Sequence, residues 1–215
     1  MATGVWLKDL VKVLRQAGVP VQGMTYKMGR YAGKDWKQVG YNGLGYRELR
    51  GIMWHHDASP FGDSPGALDW CMYWAKDANG NDLTPAASIW VDRYGKWFVY
   101  AAGQSCHAGV GSSPIAPNST GNQFLLGIET DHNTGETWPK EQIDSLRKGT
   151  AALMKHYGLD PKVALEFHKS YAPGRKNDPD GLNLTVERRR VARLMKSDQT
   201  GIKALLDRWF GRSSN

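Results

Sequence analysis

"LRGIMWHHDAS", residues 49–59, decides how the rest of the chain is read. Its run Gly51–Trp54 is apolar at every position, which suits a strand buried on both faces. It stops abruptly on two imidazoles, His55 and His56. Two later runs repeat the design. "FLLGIETDH" (124–132) ends in Glu129, and "VALEFH" (163–168) ends in His168. Between them the period changes: "WPKEQIDSLRKGTAALMKHYG" (138–158) is apolar at 143, 146, 153, 154 and 157, with Thr150 marginal. That is a helical stripe, with Pro139 in its first turn and Gly158 as its stop. Strands alternating with helices predict an α/β fold, a sheet covered by helices.

Outward from these runs, "ASIWVDRYGKWFVY" (87–100) reads as a hairpin, two β-rich runs about "DRYG". "SPGALDWCMYWAKDANGND" carries a helical pattern at Leu68, Cys71, Met72 and Trp74/Ala75, ending at the turn signal "NGN". Residues 105–123 form a long Gly/Ser/Pro/Asn loop, with His107 near its start. The first 18 residues read as an amphipathic helix, with Val5, Leu7, Leu10, Val11, Val13 and Leu14 towards one face. Residues 24–46, rich in Gly, Tyr and Lys, read as an irregular arm. A basic helix is expected over 185–196 and a short one over 201–210. The chain thus divides into an N-terminal helix and arm (1–45), a main domain (46–197) and a helical tail (198–215).

The 215 residues carry a net charge of +7 with a pI near 9.4. A basic surface attracts polyanions: nucleic acid, anionic membrane or an anionic bacterial wall. Nine Trp and nine Tyr suit a core, but also stacking on sugars or bases. The run Arg188–Arg190 has the spacing of a solvated helix face. Cys71 and Cys106 make neither a disulfide framework nor a zinc knuckle. No stretch approaches a membrane span. The N-terminus lacks the charged start and apolar block of a signal peptide. The expectation is a monomer made in a cytoplasm, which another component must release if it acts outside.

Three strand ends carrying His55, Glu129 and His168 suggest a metal site, because sites in α/β sheets gather where strands end. The loop "EFHKSYAPGRKNDPDG" (166–181) adds Lys176 and Asp178 within eleven residues of His168. A catalytic zinc takes three protein ligands and keeps a fourth position open. The candidate ligands are His55, His168 and Asp178. Glu129 is the candidate base and acid, with Asp131 as its rival by strand alternation. Lys176 is the candidate electrophile at a developing oxyanion. His56 points away from His55 on a strand and suits packing or support. His132 and His156 read as surface residues.

"HH" closing a strand, "CHAGVG", "LGIE" closing a strand and "HKSYAPGRKNDP" occur in that order. This series resembles the zinc-dependent N-acetylmuramoyl-L-alanine amidases of the type 2 group, related to peptidoglycan recognition proteins, over about residues 48–195. The most specific part is the closing motif: Lys176 eight residues after His168, and Asp178-Pro179 ten after it. The resemblance implies a mixed central β-sheet flanked by helices, a Zn2+ cofactor and bacterial peptidoglycan as partner, with no nucleic acid. It implies His55, His168 and Asp178 as zinc ligands, Glu129 as the catalytic carboxylate and Lys176 beside the metal. His107 matches a loop histidine lining the substrate groove. Some branches of the family place a catalytic Tyr in the strand matching "ASIWV"; here Ala87 and Ser88 stand there. Others use Cys as third ligand; here it is Asp. Both departures favour the branch that relies on Glu129. Basic, Trp-rich chains of this length also resemble bacteriophage endolysins.

Three other functions compete. A peptidoglycan-binding module without catalysis would lack a zinc ligand, and this sequence keeps all three. A nucleic-acid-binding protein fits the charge but explains none of the polar strand ends. Two His and one carboxylate also suit an iron oxygenase, but the motif order does not.

Overall fold

The computed structural model describes residues 4–59 and 64–196. Its centre is a six-stranded sheet formed by β1 Val21–Gly23, β2 Gly51–Trp54, β3 Ile89–Val91, β4 Trp97–Val99, β5 Leu125–Thr130 and β6 Leu165–Phe167. Their order is β1–β4–β3–β5–β2–β6. The pair β3–β4 is antiparallel and its neighbours are parallel, so the sheet is mixed. Local chemistry explains the exception. Asp92 accepts from the N–H groups of Tyr94 and Lys96, and Gly95 sits at φ +81°, which closes the expected hairpin. The parallel neighbours are joined by long crossovers.

The helices are α1 Leu10–Gln16, α2 Ser64–Asp69 running into a π-helical turn at Trp70–Trp74, α3 Gly121–Phe124, α4 Lys140–His156, α5 His168–Tyr171, and α6 over 184–196. Strand alternation separates two faces. Ile52, Trp54, Leu126, Ile128, Leu165 and Phe167 join a core with Leu10, Leu14, Leu146, Met154 and Val191. This face is covered by α1, α4 and α6. Trp54 and Trp97 donate their indole N–H groups to Thr150 and Ser145 of α4, each at 3.0 Å. Gly149 leaves room for the Trp97 ring, which a Cβ there would strike. The other face carries two smaller clusters. One joins Tyr26, Tyr31 and Val39 to Cys71, Met72 and Trp90. The second joins Met53, Leu125 and Tyr171 to Ala108 and Ala116.

The N-terminus departs from expectation. The helix begins at Leu10, not near residue 1. Val5 exchanges backbone hydrogen bonds with Tyr46, and Leu7 donates to Ala102, so tertiary partners take the donors that a longer helix would use. Leu7, Leu10, Val13 and Leu14 are buried as the stripe predicted, but Val5 is exposed. Residues 24–46 are irregular as expected, with single 3-10 turns at Gly29–Tyr31, Trp36–Gln38 and Tyr41–Gly43. They are nonetheless packed: Tyr26, Tyr31, Trp36, Val39 and Tyr46 are all buried. Strand β1, just before them, was not foreseen. Both cysteines are free. Among the described residues no helix is long and apolar enough to cross a membrane. The expected helix over 201–210, with the tail 198–215, lies outside the described residues.

Candidate active site

The sheet register brings the strand ends together. Trp54 of β2 pairs with Ile128 of β5 on one side and Phe167 of β6 on the other. The next residue on each strand therefore stands in one row: His55, Glu129 and His168. Period-two alternation turns all three to the face away from α4, because Trp54, Ile128 and Phe167 face it. The main chain at His55 is held on both sides. Its N–H donates to Ile128 (2.9 Å), and its carbonyl accepts from the Thr130 hydroxyl (2.7 Å). Asp178 arrives from the loop after α5, where its carbonyl accepts from the Lys169 N–H at 2.7 Å.

His55 Nδ1 and His168 Nδ1 lie 2.9 Å apart, and Asp178 Oδ2 lies 3.2 and 3.0 Å from them. Among the described residues these three are the group that could hold a metal ion, and all are buried. The outer ring nitrogens decide the tautomers. His168 Nε2 donates to the carbonyl of Ala108 (2.9 Å), which leaves its Nδ1 a lone pair. His107 Nε2 donates to the carbonyl of Leu125 (3.0 Å), so His107 Nδ1 must accept. It accepts from His55 Nε2 at 2.9 Å, which leaves His55 Nδ1 a lone pair as well. Two lone pairs and a carboxylate oxygen then converge with no proton between them. That arrangement is repulsive without a cation and fits one well: donors about 2.0–2.2 Å from a zinc ion lie roughly 3.3 Å from one another.

Electrostatics agrees. Burial lowers the His55 pKa to about 4, with the neighbouring His168 charge adding to the effect. His107 is lowered well below its ordinary value by burial and then by His55. These rings are neutral at pH 7, as ligand imidazoles must be. Burial opposes ionisation of Asp178, but its contacts with His168 and His55 outweigh this and hold its pKa well below the carboxylate range. Glu129 behaves in the opposite way. Burial raises its pKa strongly, the negative charges of Asp178 and Asp57 add to this, and Lys176 opposes it. Its Oε2 is buried without a hydrogen-bond partner, and Oε1 lies 3.9 Å from His55 Nδ1. A carboxyl poised to take and release a proton has this environment.

Glu129, Lys176, Asp178, His168, His107 and His56 line one cleft of about 300 Å³. Larger cavities, of about 470 Å³ between α4 and α6 and about 440 Å³ between α6 and Lys162, contain none of these groups. His107 lines the cleft and also bonds His55 from behind. Asp131 is not part of the cleft. It is buried, and the Arg93 guanidinium (3.1 Å) and the Ser59 hydroxyl (2.9 Å) engage it. His56 accepts from the Asp180 N–H (3.1 Å), a supporting contact of the kind expected. His132 is a correction. It is fully buried, stacked on Trp138 with centroids 3.9 Å apart, because the chain turns inward after β5 to start α4. His156 is exposed, as read. Sequence reasoning missed Asn122, whose Oδ1 accepts from the N–H groups of both His107 and Ala108 and so pins that loop. It also missed Trp70 and Arg175, which line the cleft.

The sequence pattern of the family described as N-acetylmuramoyl-L-alanine amidase matches residues 45–181, from just before β2 to the end of the Asp178 loop. Among solved structures, a selenomethionyl AmpD derivative is similar at 20% identity over 67% of this chain and 85% of its own, with a TM-score of 0.51. AmpDh3 from Pseudomonas aeruginosa is similar at 19% identity over 73% of this chain and 63% of its own, with a TM-score of 0.52. The Staphylococcus aureus hydrolase AmiA, solved with its ligand, is similar at 15% identity over 90% of this chain and 93% of its own, also with a TM-score of 0.52. At such identities the likeness concerns the fold: a mixed sheet flanked by helices. No curated protein sequence matches this chain.

Proposed function

The chain belongs to the N-acetylmuramoyl-L-alanine amidase family, and on that premise we propose that it is a zinc-dependent hydrolase. It cuts the amide between N-acetylmuramic acid and L-alanine in bacterial peptidoglycan. The observation that carries the metal is the convergence of the His55 and His168 Nδ1 lone pairs on Asp178 Oδ2. A zinc ion held by these three residues supplies a Lewis acid for the scissile carbonyl and lowers the pKa of water towards about 7.

This chain's residues supply the rest. Glu129, held in a buried pocket, takes a proton from the attacking water and delivers it to the departing alanine nitrogen. Lys176, on the rim of the same cleft, places its ammonium where negative charge develops on the carbonyl oxygen. His107 fixes the ring of His55, and Ala108 that of His168. A purely wall-binding role would leave the buried, unpartnered carboxyl oxygen of Glu129 without a task. We read the protein as an endolysin of bacteriophage type, a monomer released to the wall by another component, with the basic charge favouring an anionic wall.

The test is elemental analysis read together with lysis of purified cell wall before and after chelation. About one zinc per chain is expected, with lysis and new amino groups lost on chelation and restored by zinc. Absence of metal with chelator-insensitive lysis would refute the reading.

A further inference from the structure

The walls of the cleft are chemically unlike. Trp70, Leu83 and Ala86 line one part of it, and Gly109, Arg175 and Lys176 another. The sheet order keeps these groups on opposite sides. The π-helical turn bearing Trp70 packs through Cys71 and Met72 on Trp90 of β3. Arg175 follows β6 and α5. Strands β5 and β2, which carry Glu129 and lead into His55, lie between β3 and β6.

The Trp70 wall is built rather than incidental. Trp70 is 49% exposed, yet Cys71 and Met72 beside it are 1% exposed, so a pinned backbone presents a bare indole. Two backbone hydrogen bonds, from Leu83 to Ala75 and from Ala86 to Cys71, tie the turn to the Leu83–Ala86 segment. An exposed aromatic on a rigid element at a polar cleft is a ligand contact by its physics: it loses water and little conformational entropy on binding. A π-helical turn at such a place is itself commonly functional. The opposite wall is cationic. The Arg175 guanidinium is aimed by the carbonyls of Val110 and Ala108 at 2.6–3.0 Å. Among the described residues it forms no ion pair, and the exposed Lys176 stands next to it.

Resting on the amidase reading, we propose that the cleft has a direction. The N-acetylmuramic acid ring packs its C–H face on Trp70 and Leu83. The stem peptide leaves towards Arg175, which receives a peptide carboxylate. The scissile amide joins these two halves, and the row His55–Glu129 lies between the two walls. The reverse orientation would set an uncharged sugar against two cations and a carboxylate against an apolar wall, where it would stay unpaired.

The test uses the full chain with indole resonances assigned through Trp70→Ala. N-acetylmuramic acid with its lactyl carboxyl blocked as the simple amide, uncharged like the ring in the substrate, and a free stem peptide are titrated separately. The sugar is expected to shift the Trp70 indole signal and the peptide to leave it unmoved. Arg175→Ala is expected to weaken the peptide, not the sugar. On soluble muramyl peptide, Trp70→Ala should raise KM roughly three- to tenfold with kcat nearly kept, and Arg175→Ala, whose Nη2 also lies 3.3 Å from His168 Nε2, should raise KM by a similar factor. A peptide that shifts Trp70, or a sugar that needs Arg175, overturns the direction. A sugar that shifts no indole signal overturns the Trp70 contact. Failure of the amidase reading is separate: wild-type protein would release no amino groups from wall, whatever the titrations show.

Discussion

A single proton position on each ring decides whether the three histidines can serve a metal. The path runs from the Leu125 carbonyl through His107 to His55 Nδ1, entirely through buried groups. Replacing His107 by Ala removes the acceptor for His55 Nε2–H and frees the ring to turn. Zinc affinity should fall about 10- to 100-fold, measured by competition with a chromophoric chelator. Gly127→Ala offers an independent route to the same defect, since a Cβ there would lie 2.5 Å from His107 Cγ and displace the ring. Unchanged affinity in both variants would remove His107 from the support of the metal. Glu129→Gln has the opposite signature. Zinc should stay bound, because the carboxyl is not among the three converging ligand groups. Wall hydrolysis should fall by about 10²-fold or more, read as released amino groups.

At the scale of elements, the strands announced themselves where they were apolar throughout, as in Gly51–Trp54. They were silent where they were brief, as in β1, three residues of which Gln22 and Gly23 carry no apolar side chain. The polar strand ends were legible for the same reason: an imidazole closing an apolar run is a contrast that periodicity detects. The tautomer path was not, since it depends on Gly127 and on the carbonyls of Leu125 in β5 and Ala108 in the loop after His107, which are far in sequence from the rings they bond. His132 shows the limit in the other direction. A polar residue after a strand looks solvated until the chain between β5 and α4 folds it under Trp138. Burial lowers its pKa to about 4, with the His56 charge assisting, against about 6.5 when unfolded. Between those values the unfolded chain binds a proton that the folded one refuses. The stabilising contribution is therefore complete above about pH 6.5 and is lost as pH falls towards 4. His132→Phe keeps the stacking and removes the titration. At pH 5 it should be more stable than wild type relative to pH 7 by roughly 2 kcal/mol. Parallel loss of stability in both proteins on acidification would show that His132 does not titrate in this window.

At the scale of the whole molecule, the charge and the metal act at different places. The basic run that reads as a solvated face is partly a tie within the fold: Glu187, buried, joins Arg147 (2.7 Å) on α4 to Arg190 (2.7 Å) on α6. The metal would join more distant pieces. His55 lies beyond β2 and His168 at the start of α5, 113 positions later in the chain, with Asp178 in the loop that follows. An ion that binds only when these three meet binds the folded state alone, so its binding energy adds to folding stability. With free zinc at about a thousand times its dissociation constant, that contribution is about 4 kcal/mol. For a chain of this size it corresponds to a Tm higher by roughly 10 °C. Thermal unfolding with zinc and with chelator should therefore differ by about that amount in the wild-type protein. Asp178→Ala, lacking one of the three donors, should lose most of the difference. A wild-type Tm indifferent to chelator would mean that the convergence of His55, His168 and Asp178 holds no ion in solution.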